Sequence, residues 1–164
     1  MDIQQVKTEQ QLRVLEKLAG EIWHEYFPSI LSEEQIDYMV EKFQSYRAIR
    51  EQLSGGYAYF LFLKSGEPIG YMGICPQEEK LFLSKLYLKK EFRGYGFASE
   101  AFRFLEQYCA ENGLQAIWLT VNKQNDHSIA VYQNKGFDTV RSEVADIGCG
   151  FVMDDYIMEK KLNV

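Results

Sequence analysis

The 164 residues are 46% apolar and 15% aromatic, with 11 Tyr and 11 Phe, which excludes a disordered chain and suffices for a single domain with a real core over residues 1–164. A formal net charge of -6 excludes a broad electrostatic grip on DNA or RNA and mildly suits a cationic acceptor. Cys75, Cys109 and Cys149 follow no metal or redox spacing, no basic and apolar leader is visible, and the longest apolar run (57 to 63) is too short for a bilayer span of about 20 residues, so the expectation is a cytoplasmic protein with buried thiols, no metal and no membrane partner.

Residues 2 to 7 read as a first strand. Thr8 with Gln11 forms a capping box for a helix running toward Phe27, which Pro28 ends. Ser32 with Gln35 repeats the start signal for a second helix, whose Ile36, Met39, Val40 and Phe43 recur at helical spacing. Residues 46 to 53 add a further turn before Gly55 and Gly56.

From Tyr57 the period changes. YAYFLFLK, a turn at residues 65 to 68 and IGYMGIC read as two strands of a hairpin. A turn at 76 to 80 leads into LFLSKLYL (81 to 88), apolar on nearly every residue, which predicts a strand covered on both faces. A helix over 98 to 110, Asn112-Gly113 and QAIWLTV (115 to 121) complete a strand, crossover helix, strand unit with parallel pairing. A short helix from Ser128 to Lys135 ends at Gly136, and strands occupy about 138 to 146 and 151 to 161 around Gly148 and Gly150.

The chemistry concentrates at Arg93-Gly94-Tyr95-Gly96-Phe97-Ala98, which joins the strand at 81 to 88 to the helix that follows. The first amides of a helix lack partners inside it and sit at the positive end of its dipole, and glycines let an anion approach the chain closely, so this turn reads as a phosphate site. Lys89, Lys90 and Arg93 add positive charge there, with Glu91 the only acid in the turn. A Walker loop is excluded because G-x-x-x-x-G-K-[ST] is missing. A dinucleotide fingerprint ranks low: Ser99 holds the third glycine position and Asn122 stands where a ribose-binding acid is expected.

The turn fits R/Q-x-x-G-x-G/A, and residues 125 to 137, NDHSIAVYQNKGF, fit N-x-x-A/S-I-x-x-Y-x-x-x-G-F. In both motifs, and in the order of elements along almost the whole chain, the sequence resembles the GNAT acetyltransferase superfamily. The resemblance implies an α+β fold: a mixed, mostly antiparallel sheet of six to seven strands, a splayed parallel pair in the middle holding the pantetheine arm, and about four helices. It implies an enzyme moving an acetyl group from acetyl-CoA to a small-molecule amine by direct transfer in a ternary complex, with diamines and polyamines weakly favoured. The alternatives are a protein or peptide N-acetyltransferase and an acyl-CoA-binding module without turnover. Family members are often homodimers.

Carried onto these positions, the resemblance implies that backbone amides of Tyr95, Gly96, Phe97, Ala98 and Ser99 hold the pyrophosphate, with Arg93 and Gly94 as further cofactor-binding residues of the turn. Main-chain groups of Leu86 and Leu88 bind the pantetheine, and an N–H near Leu86 or Tyr87 polarises the thioester carbonyl. Asn125 contacts the cofactor, and Lys135 either reaches a phosphate or is an exposed lysine at a helix end. Tyr132, in isolation simply an aromatic on a helix face, within this motif protonates the leaving thiolate, an exchange for which a thiol near pKa 8.5 and a phenol near 10 are matched. Ser84 occupies the place of the glutamate that often acts as base; serine cannot do so except by holding a relay water. Other candidates for the base are His24, Glu25, Tyr26, Asp37, Asp154 and Asp155, each more simply a solvated or paired residue. His127 is a capping neighbour, and Lys85 is either a base of lowered pKa or, the plainer expectation, one half of an ion pair. Trp23, Tyr26, Phe27 and Tyr38 either wall an acceptor cavity or pack the core.

Overall fold

The computed structural model describes residues 1–162. Among these, seven strands form one mixed sheet in the order β1-β2-β3-β4-β5-β7-β6. They are β1 (Asp2–Gln5), β2 (Ala58–Lys64), β3 (Glu67–Pro76), β4 (Lys80–Leu88), β5 (Ala116–Asn122), β6 (Asp138–Gly148) and β7 (Phe151–Lys161). The helices are α1 (Glu9–Tyr26), α2 (Glu33–Met39), α3 (Tyr46–Ser54), α4 (Phe97–Asn112) and α5 (Asp126–Asn134). The α+β class and the mixed sheet match expectation. The extra helix is α3, where the sequence predicts a single further turn: Ser45 caps it by accepting from the Ala48 amide, a start signal hidden because Ser45 adjoins the preceding helical run.

The chain clusters into two compact units, one of residues 1–75 with 85–105, the other of residues 76–84 with 106–164. In the first, α1 begins at the expected capping box of Thr8 and Gln11 and gives way at Phe27 to a short 3-10 turn containing Pro28. Leu15, Leu18 and Ile22 of α1 form a core with Ile49 of α3 and with Tyr59, Leu61 and Tyr71 of the sheet. After Met39 the helical run of α2 widens into a π turn, Val40–Gln44, so the expected single helix over Val40 and Phe43 is broken. Its physical anchor is Gln44, buried, whose side-chain oxygen accepts from the Tyr71 hydroxyl at 2.8 Å.

The hairpin between β2 and β3 is tighter than expected. Lys64 pairs directly with Glu67, leaving Ser65 and Gly66 as a two-residue loop with φ 51 and 81, the left-handed pair that matches strand twist. Pro68 sits inside β3 beside a bulge, one of the few strand positions that tolerates a missing N–H.

In the second unit β5 pairs antiparallel with β7, and β7 with β6. Its buried side chains include Leu81, Leu83, Ile117, Leu119, Phe137, Ile157 and Met158. The parallel ladder of β4 with β5 joins Lys80, Leu81 and Phe82 to Ala116, Ile117 and Trp118, while both strands continue beyond those pairs.

Two expectations need correction. β4 is not covered evenly: Leu81, Leu83 and Lys85 are buried, while Phe82, Ser84 and Leu86 are partly open, so its buried face ends on a lysine. The thiols are not all buried either: Cys109 is, Cys75 is half-buried, and Cys149 is exposed in the β6–β7 turn with φ 54.

Candidate functional site

The glycine turn is built as the sequence suggested and tied down in a way it did not. After β4 a 3-10 turn (Lys90–Phe92) leads to Gly94 and Gly96, with φ 83 and 84. A Cβ at either would meet nothing within 4 Å, so glycine is required there for the left-handed backbone and leaves the approach open. Gly94, Tyr95 and Gly96 are exposed, Tyr95 at 73%, and the first bond of α4 runs from the Glu100 amide to the Gly96 carbonyl at 3.1 Å. The amides of Phe97 and Ala98 therefore lie ahead of the ladder, at the positive end of a 16-residue helix.

Arg93 turns back from the exposed edge. Its Nε donates to the Leu88 carbonyl at 3.1 Å, its guanidinium lies 3.5 Å from the Glu25 carboxylate and 4.8 Å over the Tyr26 ring. Glu25 also accepts from the Lys90 amide at 3.0 Å, and Lys89 lies 4.0 Å from Glu21. The end of α1 thus brings two acids to a turn that in sequence contained one, and the charge of Lys89 and Arg93 goes largely into fixing the loop. Sequence reasoning missed this because residues 21 and 25 are some 65 positions upstream.

Leu86, Tyr87 and Leu88 form the strand just before the turn, backed by β3. A Cβ at Gly70 would come within 2.4 Å of the Tyr87 carbonyl oxygen, so glycine is what lets β3 lie this close. The Tyr87 ring packs 5.6 Å from Trp23, 6.1 Å from Phe27 and 5.5 Å from Tyr71. Trp23 and Phe27 are buried, 4.3 Å apart, and the Trp23 indole donates to the Tyr71 hydroxyl at 3.2 Å. Of the aromatic group, these two are core. Tyr38 instead accepts from Lys42 at 3.3 Å.

The least expected group is Lys85. Only 8% exposed, its ammonium nitrogen donates to the Tyr59 hydroxyl and, at 3.0 Å, to Gln52 Oε1, while Tyr59 donates to the same Gln52 oxygen at 2.5 Å. Gln52 in turn donates to the Phe43 carbonyl of the π turn at 3.2 Å. Burial lowers the Lys85 pKa to about 7 and raises that of Tyr59. Both of these partners are neutral oxygens.

The other candidates for a base are engaged. His24 Nδ1 contacts the Gly20 carbonyl at 2.8 Å and Nε2 the Asp37 carboxylate at 2.6 Å. Both partners only accept, so both ring nitrogens must carry protons; the hydrogen bond to Asp37, then that to Gly20, raises the pKa accordingly. Glu25 and Tyr26 serve Arg93.

In the second unit, Asn125 is buried and its side-chain oxygen caps α5 by accepting from the Ser128 amide at 3.3 Å. Tyr132 is half-buried on α5, its ring 5.8 Å from Phe137, whose amide donates to the Tyr132 carbonyl at 3.0 Å. Lys135 is the half-buried C-cap, and Gly136 follows with φ 95. His127 is exposed in the first turn, where Asn125 does the capping. Asp154 pairs with Lys123 at 2.8 Å. Asp155 is buried, and its pKa rises to about 6 through burial first and then through Asp154 and Glu143. Ser84, half-buried, ends this unit's share of β4.

With this geometry in view, similarity to known proteins is specific. The sequence profile of the acetyltransferase (GNAT) family matches residues 17–137. An uncharacterized N-acetyltransferase in the pepI 3' region of Lactobacillus delbrueckii subsp. lactis is 25% identical over 114 residues, 64% of this chain; the chain spans 65% of that relative's length. Among solved structures, a PaiA N-acetyltransferase from Thermoplasma acidophilum, in complex with coenzyme A, aligns with TM-score 0.79 and 25% identity over 99% of this chain and 100% of that one. The ribosomal-protein-S18-alanine N-acetyltransferase from Escherichia coli shares the fold, with TM-score 0.74 at 14% identity over 99% and 94% of the two chains. Profile, fold and glycine turn agree, and the chain belongs to the GNAT acetyltransferase family.

Proposed function

We propose that this protein is an acetyl-CoA-dependent N-acetyltransferase, cytoplasmic, that acylates the primary amine of a small molecule by direct transfer in a ternary complex, as one catalytic domain over residues 1–164. The observation that carries this reading is the turn at Gly94 and Gly96, left-handed, open and leading straight into the N-terminus of α4. Backbone amides from Tyr95 to Ser99 grip the diphosphate, with the Arg93 side chain holding the turn in shape. Main-chain groups of Leu86 and Leu88 align the pantetheine as an added strand, and an N–H at Leu86 or Tyr87 polarises the carbonyl. Tyr132 is assigned the proton of the leaving sulfur, with Asn125 and Lys135 as cofactor contacts, on the motif they share at residues 125 to 137. Ser84 holds a relay water.

An alkyl amine with a pKa near 10.4 is only about one part in a thousand neutral at pH 7, so attack requires a proton acceptor. We assign that task to Lys85: it precedes Leu86 on β4, on the face opposite Ser84, and burial brings it to a pKa of about 7, where it can exchange protons near neutrality. Thiol release from acetyl-CoA over a panel of diamines, polyamines, amino acids and aminoglycosides tests the acceptor class; turnover with at least one is expected. Turnover with peptides alone would replace this reading by protein acetylation, which the likeness in fold to the Escherichia coli enzyme named for ribosomal-protein alanine keeps as the second reading. CoA binding with no turnover at all would leave a binding module.

A further inference from the structure

Asp155 of β7 carries a charge that the fold leaves uncompensated. It is 8% exposed, and among the described residues its carboxylate accepts no hydrogen bond and joins no ion pair. A carboxylate withdrawn from water is ordinarily paired, because nothing else offsets its lost hydration. Its neighbours deepen the deficit. In the ladder Asp155 stands opposite Asn122 of β5 and Glu143 of β6, so the three side chains share one face in a single row. Arg141, on that face of β6, joins no ion pair among the described residues, and Lys123 gives its charge to Asp154 at 2.8 Å. Burial first, then Asp154 and Glu143, push the Asp155 pKa up to about 6, which still leaves it ionised at neutral pH. Among the described residues every fully enclosed side-chain oxygen has a hydrogen-bond partner, so the oxygens of Asp155 keep some contact with solvent. The carboxylate is therefore the floor of a recess, with the exposed Glu143 beside it. The same strand end starts the segment assigned to the cofactor: the Asn125 amide donates to the Asn122 carbonyl at 2.9 Å, the Lys123 amide to the Asp154 carbonyl at 3.1 Å, and α5 with Tyr132 follows.

We propose that Asp155, with Glu143 beside it, is a binding site for an organic cation and takes a positively charged group of the acceptor other than the amine that is acetylated. An ammonium or guanidinium supplies both things the recess lacks, a counter-charge and N–H donors for the carboxylate oxygens. Three carboxylates here, Glu143, Asp154 and Asp155, share the single ammonium of Lys123, so a cationic group entering the recess meets net attraction and an anionic one net repulsion. The pair thus determines specificity: it favours acceptors with a second positive charge, amine or guanidine, and disfavours those whose remaining charge is negative, such as amino acids. The identity of the ligand rests on the reading of the protein as an amine acetyltransferase; the cation site itself rests on Asp155.

Two measurements on the full chain separate the site from the reaction. In thermal unfolding without acetyl-CoA, 1,4-diaminobutane and 4-guanidinobutylamine stabilise the unaltered protein more than 1-aminobutane at equal concentration and ionic strength, and Asp155→Asn abolishes the difference. In steady-state acetylation the ratio of kcat/KM for either dication to that for 1-aminobutane falls by about tenfold or more in Asp155→Asn. A merely structural role would lower all three substrates together and leave that ratio unmoved. Asp155→Asn keeps the shape of the side chain and removes a buried charge, so the variant unfolds at no lower temperature; Glu143→Gln, at an exposed position, gives a smaller fall in the same ratio and serves as the independent variant. Stabilisation by dications that is lost in Asp155→Asn, with no amine acetylated, would uphold the cation site and remove the acetyltransferase reading. Turnover without preference for the dications, or a preference that survives both substitutions, would overturn the proposal and leave acetyl transfer standing.

Discussion

Lys85 shows how one side chain ties folding to chemistry. It stands on the buried face of β4 below Leu81 and Leu83, and Gln52 and Tyr59 give its nitrogen two neutral oxygens. Tyr59, whose own pKa burial raises, is a titratable neighbour in direct contact with it. Its folded pKa of about 7 lies below the ordinary 10.5, so between these values the unfolded chain binds the extra proton. Stability from this group therefore increases as pH rises from about 7 toward 10.5 and is lowest below 7, with a slope of up to about 1.4 kcal/mol per pH unit. Lys85→Met removes the charge and leaves Tyr59 bonded to Gln52. Chemical denaturation should show the variant gaining most over the unaltered protein near pH 7, with the difference shrinking toward pH 9.5, while turnover falls by about a hundredfold or more and CoA binding persists. A difference that does not change with pH would show that Lys85 is not neutralised on folding, and unaltered turnover would remove it as proton acceptor.

Among the elements, β4 sets the site, because its last residues lead directly into the glycine turn and β3 supports it from behind. The closest contact of that support is Gly70, where an added Cβ would sit 2.4 Å from the Tyr87 carbonyl, 2.9 Å from Leu88 Cδ2 and 3.0 Å from Phe62 Cδ2. Since the nearest obstacle is backbone, Gly70→Ala must push β4 outward at the segment assigned to the pantetheine. A loss of about 1–3 kcal/mol in thermal stability is expected together with weaker CoA binding; a fully stable variant with normal CoA affinity would show that β4 does not carry the thioester arm.

Elements with local signals were legible from sequence: the capping box at Thr8, the two glycines at 94 and 96, the paired strands around Gly148. The π turn at Val40–Gln44 was not, since its anchor is a hydrogen bond that Gln44 accepts from a tyrosine 27 positions away. Nor was the neutralisation of the basic turn by Glu21 and Glu25, or the burial of Lys85 within an apolar run, because each depends on which helix the fold lays against β4. Motif recognition singled out the candidate turn; tertiary contacts decided which of its charges are engaged.

At the scale of the whole molecule, the excess of acidic residues and the acidic anchors beside the glycine turn argue against charge alone as the source of affinity for a phosphate ligand. The grip must come from oriented backbone donors, which act at short range and depend on the left-handed glycines. Among the described residues no helix is long and apolar enough to cross a membrane. The most direct test of the central claim is thermal unfolding of the full protein with CoA, compared with pantetheine lacking the diphosphate. CoA at a hundredfold excess over its dissociation constant should stabilise the protein by about 2.7 kcal/mol, and pantetheine at the same concentration far less. Equal effects of the two ligands, or no shift with CoA, would contradict the account.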